Sequence, residues 1–139
     1  MNEQLDVLKL FWLQRLPDFP LIIGLRSLIS LDLSHNSIVD LGPGSLSGLT
    51  SLRHLSLSHN YLVTVSADWL GHVPRVTRLM LMDNDITRVE EAALDNLSNL
   101  EQINLAGKWI KRMGKWYMSV SNHFVSIGDQ NHTSTGLVL

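Results

Sequence analysis

The sequence predicts an α/β fold of stacked 24-residue units, in which each unit forms a short strand, a turn and an irregular or short helical return. Three observations predict it. Asn36, Asn60 and Asn84 are spaced by 24 residues, and apolar residues recur around them with the same period. Two leucines, such as Leu31 and Leu33, alternate with one other residue before each asparagine, which is typical of a strand with one buried face.

The strand of each unit is predicted from two columns of apolar residues. One column contains Leu31, Leu55, Leu79 and Ile103, and the other contains Leu33, Leu57, Leu81 and Leu105. Beyond the asparagine the apolar spacing loosens to steps of three and five, which favours a turn and a return segment. A lone unit has no second layer to cover its apolar side, so a core forms only when units stack and their strands pair into a parallel sheet.

The repeated asparagines are predicted to form a ladder. Asn36, Asn60 and Asn84 follow the strands, where backbone groups lose their sheet partners. A side-chain amide both donates and accepts hydrogen bonds, so a buried asparagine can join the turns of neighbouring units. The alternative is that each asparagine is an exposed turn residue.

The segment 28–38, with the pattern Leu-x-x-Leu-x-Leu-x-x-Asn-x-Ile, resembles the leucine-rich repeat consensus, as do 52–62 and 76–86. The unit length is similar to the 24-residue typical subclass, although Leu46, Leu70 and Leu94 stand where that subclass usually has phenylalanine. The resemblance implies a curved right-handed solenoid with parallel strands on its concave face and the returns on its convex face. It also implies a receptor, adhesion or matrix context of the Toll, Slit and chaoptin kind.

The two ends of the chain depart from the repeat. Residues 1–24 are predicted to be a degenerate first coil or N-terminal cap, because Leu8 and Leu10 precede Leu31 and Leu33 by 23 residues. The alternative for this segment is an amphipathic helix. Residues 25–107 contain three full repeats and the start of a fourth.

Residues 108–139 are predicted to be a divergent, poorly ordered tail, because the apolar columns end and Lys108 takes the asparagine position. Gly107-Lys108-Trp109 is what translation through a common exon–intron boundary produces. One hypothesis is therefore that the tail comes from a retained intron, an alternative isoform or a gene-model error. The other is that it is simply a divergent C-terminal extension.

Composition and motifs give no support for catalysis, a metal or another cofactor. The chain lacks cysteine, which excludes disulfides, thiolate zinc sites and thiol chemistry, and its net charge of -2 argues against general nucleic-acid binding. The repeated triplets 34–36 and 58–60, Ser-His-Asn, are interpreted as turn residues, since neighbouring serine and histidine do not place a nucleophile against a base. The cluster of His35, His54 and His59 lacks close acidic or cysteine partners at ligand spacing.

Two further patterns leave weaker hypotheses open. Basic and aromatic residues alternate in 108–117, a pattern that can contact nucleic acid or an acidic membrane. They are Lys108, Trp109, Lys111, Arg112, Lys115, Trp116 and Tyr117. Asn96 and Asn131 begin N-glycosylation triplets, which matter only in the secretory pathway.

The predicted binding site is the concave face, where side chains between the strand leucines point away from the core. The face is small and polar in the first units and becomes cationic and apolar near Arg78, where Met80 and Met82 offer an adaptable contact surface. The alternative is that both methionines are partly covered by neighbours. The predicted contact residues are Asp32, Ser34, His54, Ser56, Ser58, Arg78, Met80, Met82, Gln102 and Asn104, with Ser30 beside them.

These observations favour a non-catalytic module that binds a protein ligand. The resemblance implies an extracellular or cell-surface location, but the N-terminal residues lack the pattern of a signal peptide, and a cytoplasmic adaptor is the competing expectation. No apolar stretch of the sequence is long enough for a membrane-spanning helix. A structurally incomplete product without independent activity is a further alternative.

Overall fold

A computed structural model of the 139-residue chain describes residues 6–10, 22, 24–90, 92–105 and 124–126. The main sheet has six parallel strands in the order β1 (Val7–Lys9), β2 (Ser30–Asp32), β3 (His54–Ser56), β5 (Arg78–Met80), β7 (Gln102–Asn104) and β8 (Phe124–Ser126). A second parallel pair joins β4 (Thr64–Val65) to β6 (Arg88–Val89). One short helix, α1 (Ala67–Leu70), lies in the return that follows β4.

The predicted register of the strand leucines is confirmed. Leu31 lies opposite Leu55, Leu55 opposite Leu79, and Leu79 opposite Ile103. Leu8 of β1 lies opposite Leu31, so residues 7–9 form a strand of this sheet. The fold is therefore a solenoid of about four turns with parallel strands and few helices.

The apolar columns form one continuous core. The first column, Leu28, Leu52, Val76 and Leu100, is buried, and so are the strand leucines and most of the apolar residues of the returns. Because each coil covers the apolar edge of the next, no coil has to bury its leucines within itself.

The returns differ from unit to unit. The second unit forms α1, which begins after Ser66, and Ser66 Oγ accepts a hydrogen bond from Asp68 N at 3.1 Å, as is usual for an N-cap. The short β4–β6 pair was not predicted, because two residues are too few for a recognisable strand pattern.

The ends of the chain are described only in part. Phe124–Ser126, inside the predicted C-terminal tail, pairs with Gln102–Asn104 as the last strand. The rest of that tail, including Lys108, and most of residues 1–24 lie outside the described residues. The division into cap, repeats and tail therefore stays a prediction.

Candidate protein-binding surface

Two rows of side chains run across the strands on the side of the sheet that faces away from the core. We call these rows, together with Ser34, Ser58 and Met82 directly after the strands, the sheet surface. One row contains Ser30, His54, Arg78 and Gln102, and the next contains Asp32, Ser56, Met80 and Asn104. The sheet pairing thus brings together on neighbouring strands most of the residues that the sequence predicts for binding.

The N-terminal end of the sheet surface is polar and internally paired. Lys9 Nζ lies 3.7 Å from Asp32 Oδ2, and Ser34 N donates to Asp32 Oδ1 at 3.0 Å. Burial raises the pKa of Asp32, but the hydrogen bonds from Ser34 and the charge of Lys9 outweigh that effect and hold the pKa below its ordinary value. Ser34 Oγ also shares a hydrogen bond with Ser56 Oγ. Asp32, Ser34 and Ser56 are thus partly engaged with one another, whereas the side chain of Lys9 stays 61 % exposed.

The middle of the sheet surface is less paired. Arg78 is exposed and makes no ion pair with any residue of the described ranges. Met80 and Met82 are half-buried, so each presents only part of its side chain to solvent. Ser58, by contrast, is buried and offers little area to a partner. In the middle of the sheet surface, a partner would therefore meet the Arg78 guanidinium beside the partly exposed side chains of Met80 and Met82.

The asparagine ladder lies along the edge of the sheet, directly after the strands. Asn60 Nδ2 donates to Leu57 O of its own coil and to Leu33 O of the preceding coil, both at 2.9 Å, and Ile38 N donates to Asn60 Oδ1 at 3.1 Å. Asn84 repeats these contacts one coil later, and Asn36 donates to Leu10 O and Leu33 O. All three asparagines are buried, as the ladder interpretation predicts.

A second column, not predicted from the sequence, lies beside the ladder. His35, His59 and Asp83 each precede a ladder asparagine, and each has a left-handed backbone, with φ between 53° and 57°. The rings of His35 and His59 stack with centroids 4.2 Å apart, and His59 Nδ1 lies 3.2 Å from Asp83 Oδ2. Histidine and aspartate adopt positive φ more readily than most residues. Their recurrence directly before each asparagine is therefore the feature of the sequence from which this left-handed turn could have been predicted.

The other candidate sites contribute less. The serines beside these histidines are not hydrogen-bonded to them: Ser34 Oγ contacts Ser56, and the imidazoles stack on each other. Within the described ranges, no three histidine or acidic side chains converge as a metal site would require. Asn96 is exposed, whereas Asn131 and the basic, aromatic segment 108–117 lie outside the described residues. No helix among the described residues is long and apolar enough to cross a membrane.

The stacked coils and their parallel sheet define a repeat protein with a solenoid fold. The family model described as leucine rich repeat matches residues 21–62 and 54–108. The chain therefore belongs to the leucine-rich repeat family. No curated protein matches the sequence.

Proposed function

We propose that this chain binds a protein ligand through the sheet surface, with Arg78 and Met80 at the centre of contact. Membership of the leucine-rich repeat family supports a protein-interaction module in general. The observation that most supports this site is that exposed Arg78 lies on the strand next to His54 and beside half-buried Met80. A cation next to polarisable thioethers suits a partner surface that has both acidic and apolar groups.

The proposed context is a receptor, adhesion or matrix-type protein. Asn96 supports it, because this exposed residue of the third return begins a glycosylation triplet. Expression in secreting cells should then add a glycan that the Ser98→Ala variant lacks. An unmodified secreted chain would favour the cytoplasmic adaptor instead.

The binding site is tested with Arg78→Glu and Met80→Asp. The wild-type chain is immobilised, and a partner is captured, identified by mass spectrometry and then measured in purified form. Both variants should weaken the interaction by about tenfold or more, the scale of one central contact residue. Arg75→Glu, which makes the same charge change at an exposed position outside the sheet, is the matched control.

Thermal unfolding of all four proteins separates loss of contact from loss of fold. Equal affinity of wild type and Arg78→Glu, at equal melting temperature, would exclude the sheet surface as the binding site. A wild-type chain that unfolds gradually and captures nothing would instead favour the alternative of an incomplete product without independent activity.

A further inference from the structure

Positive charge is concentrated where the chain enters two neighbouring strands of the main sheet. Arg53 directly precedes β3, and Arg78 is the first residue of β5. Both arginines are exposed, and the sheet register places His54, the first residue of β3, directly opposite Arg78. Because neighbouring strands lie about 4.8 Å apart, these three side chains start from one small area at the edge of the sheet surface.

The backbone under these side chains is held by hydrogen bonds between coils. Arg53 N and His54 N donate to Ile29 O of the preceding coil at 2.8 and 3.0 Å. Arg53 O in turn accepts from Thr77 N at 2.8 Å, from Arg78 N at 3.0 Å and from Thr77 Oγ1 at 3.2 Å. The sheet therefore fixes where the three side chains begin, and a partner does not have to order this backbone when it binds.

The cations at the strand entries are separated from the carboxylates of the sheet surface and its adjoining turns. The two ion pairs found in the described ranges join Lys9 to Asp32 and His59 to Asp83, so the three groups at the strand entries take part in neither. Asp32 is the last residue of β2, and Asp83 lies in the turn that follows β5. Opposite charges thus lie at opposite ends of the strands, which leaves the strand entries complementary to an acidic partner.

Ile29 and Glu101 mark the two sides of this area. Ile29 accepts from Arg53, and Glu101 N donates to Thr77 O at 2.8 Å, so the four residues form one row across the coils. The exposed carboxylate of Glu101 repels an acidic segment over β7, whereas Ile29, which is 37 % exposed, offers an apolar contact beside Arg53. The area therefore suits an acidic segment with apolar residues, lying over β3 and β5 and not over β7.

We propose that Arg53, His54 and Arg78 form an acid-recognition site, which binds carboxylates of an acidic, partly apolar segment in the partner protein. Each guanidinium can hold one carboxylate through two parallel hydrogen bonds, and the His54 imidazole carries at least one N–H in either protonation state. This proposal rests on the function proposed for the sheet surface. It adds the chemical class of the bound segment, and it adds Arg53 as a residue that determines specificity.

The experiment measures, by fluorescence anisotropy, the affinity of the full chain for the peptide fluorescein-Glu-Leu-Glu-Leu-Glu-amide. Arg53→Ala and Arg78→Ala should each weaken binding about fivefold, the upper end of what an exposed ion pair contributes. Arg53→Lys and Arg78→Lys keep the charge but lose the two parallel hydrogen bonds, so they should lose part of that affinity. Arg75→Ala, at an exposed arginine outside the sheet, is the matched control and should change affinity less than twofold.

Three further comparisons test whether carboxylates are the groups recognised. The peptide fluorescein-Gln-Leu-Gln-Leu-Gln-amide has the same label and length and should bind at least fivefold more weakly. Raising the salt concentration should weaken binding of the acidic peptide. Glu101→Gln should strengthen it, because this change removes the carboxylate at the border of the site.

The acid-recognition site is refuted if the acidic peptide binds no more tightly than the glutamine peptide, or if Arg75→Ala loses as much affinity as the alanine variants of the site. Thermal unfolding checks the fold of each variant, and where an alanine variant melts earlier than wild type, the lysine variant at that position decides. The purified partner of the sheet-surface test separates this proposal from the function itself. Partner binding that falls in Met80→Asp but not in Arg53→Ala would refute acid recognition alone, whereas partner binding that changes in neither would refute the function as well.

Discussion

Replacing Asn60 with alanine tests the asparagine ladder most directly. Asn60 is 4 % exposed, and its amide joins two coils through Leu33 O, Leu57 O and Ile38 N. After Asn60→Ala, the buried Ile38 N–H loses this acceptor, which costs about 1–3 kcal/mol. The two carbonyls keep other donors, because Asn36 still donates to Leu33 O and Asn84 to Leu57 O.

The expected loss in the free energy of unfolding is therefore about 2–6 kcal/mol, since two further hydrogen bonds of about 0.5–1.5 kcal/mol net each also disappear. Urea denaturation followed by far-UV circular dichroism measures this difference. Asn99→Ala, at an exposed asparagine outside the ladder, is the control and should change stability by less than about 0.5 kcal/mol. If both variants lose the same small amount, the ladder does not stabilise the fold.

The substitution Asn60→Asp adds a pH signature. The introduced carboxyl still accepts from Ile38 N, but it has no N–H to donate to Leu33 O and Leu57 O. Burial and the two facing carbonyl oxygens both disfavour the ionised form, so the folded pKa of this carboxyl lies above its unfolded pKa. A group with a raised folded pKa supports folding at low pH and loses that effect as pH rises through the folded pKa. Asn60→Asp should therefore be closest to wild type in mild acid and fall behind towards neutrality, whereas a pH-independent difference would contradict the contacts described.

Two further predictions concern a close backbone approach and a charge between coils. A Cβ at Gly48 would lie 2.7 Å from Gly24 Cα, whereas a Cβ at Gly44, which also has a positive φ, would meet open space. In urea denaturation, Gly48→Ala should therefore lower the free energy of unfolding by about 2–5 kcal/mol and Gly44→Ala by about 1–2 kcal/mol. Equal losses in the two variants would refute the steric argument. Glu90→Gln should lower the urea midpoint at neutral pH, because the Glu90 carboxylate stabilises the fold only while it is ionised. The difference in midpoint between wild type and Glu90→Gln should vanish as pH falls through the lowered folded pKa of Glu90. Glu101→Gln, at an exposed carboxylate, is the control, and a Glu90→Gln difference that persists in acid would mean that the charge is not responsible.

The sequence predicted the core and its register because both follow from the period. Once Leu31, Leu55 and Leu79 are assigned to one column, their pairing on adjacent parallel strands is fixed. The same reasoning could have found the return contacts: Ser66 and Glu90, which are hydrogen-bonded, are separated by 24 residues. Neighbours one period apart are adjacent in space, whether they are apolar or polar.

Other features do not follow from the period. The residues His35, His59 and Asp83 recur with the period, but the period alone does not give the left-handed sign of their φ angles, and no glycine marks it in the sequence. The partial burial of Met80 depends on the side chains around it, which differ between units. The returns also differ in their regular structure, since only the second unit forms a helix among the described residues. Sequence columns specify which residues are neighbours but not the shape left between them.

Within each strand, the buried position and the outward-facing position differ in how much they vary, and this explains why the fold is easier to predict than the partner. The buried column is Leu31, Leu55, Leu79 and Ile103, which is nearly uniform because one core of constant width has to be filled. The adjacent outward row is Ser30, His54, Arg78 and Gln102, four different chemical groups on the same scaffold. Since the outward side chains do not contribute to the core, folding leaves their chemistry free to differ from unit to unit, so the period that predicts the fold carries no information about a partner.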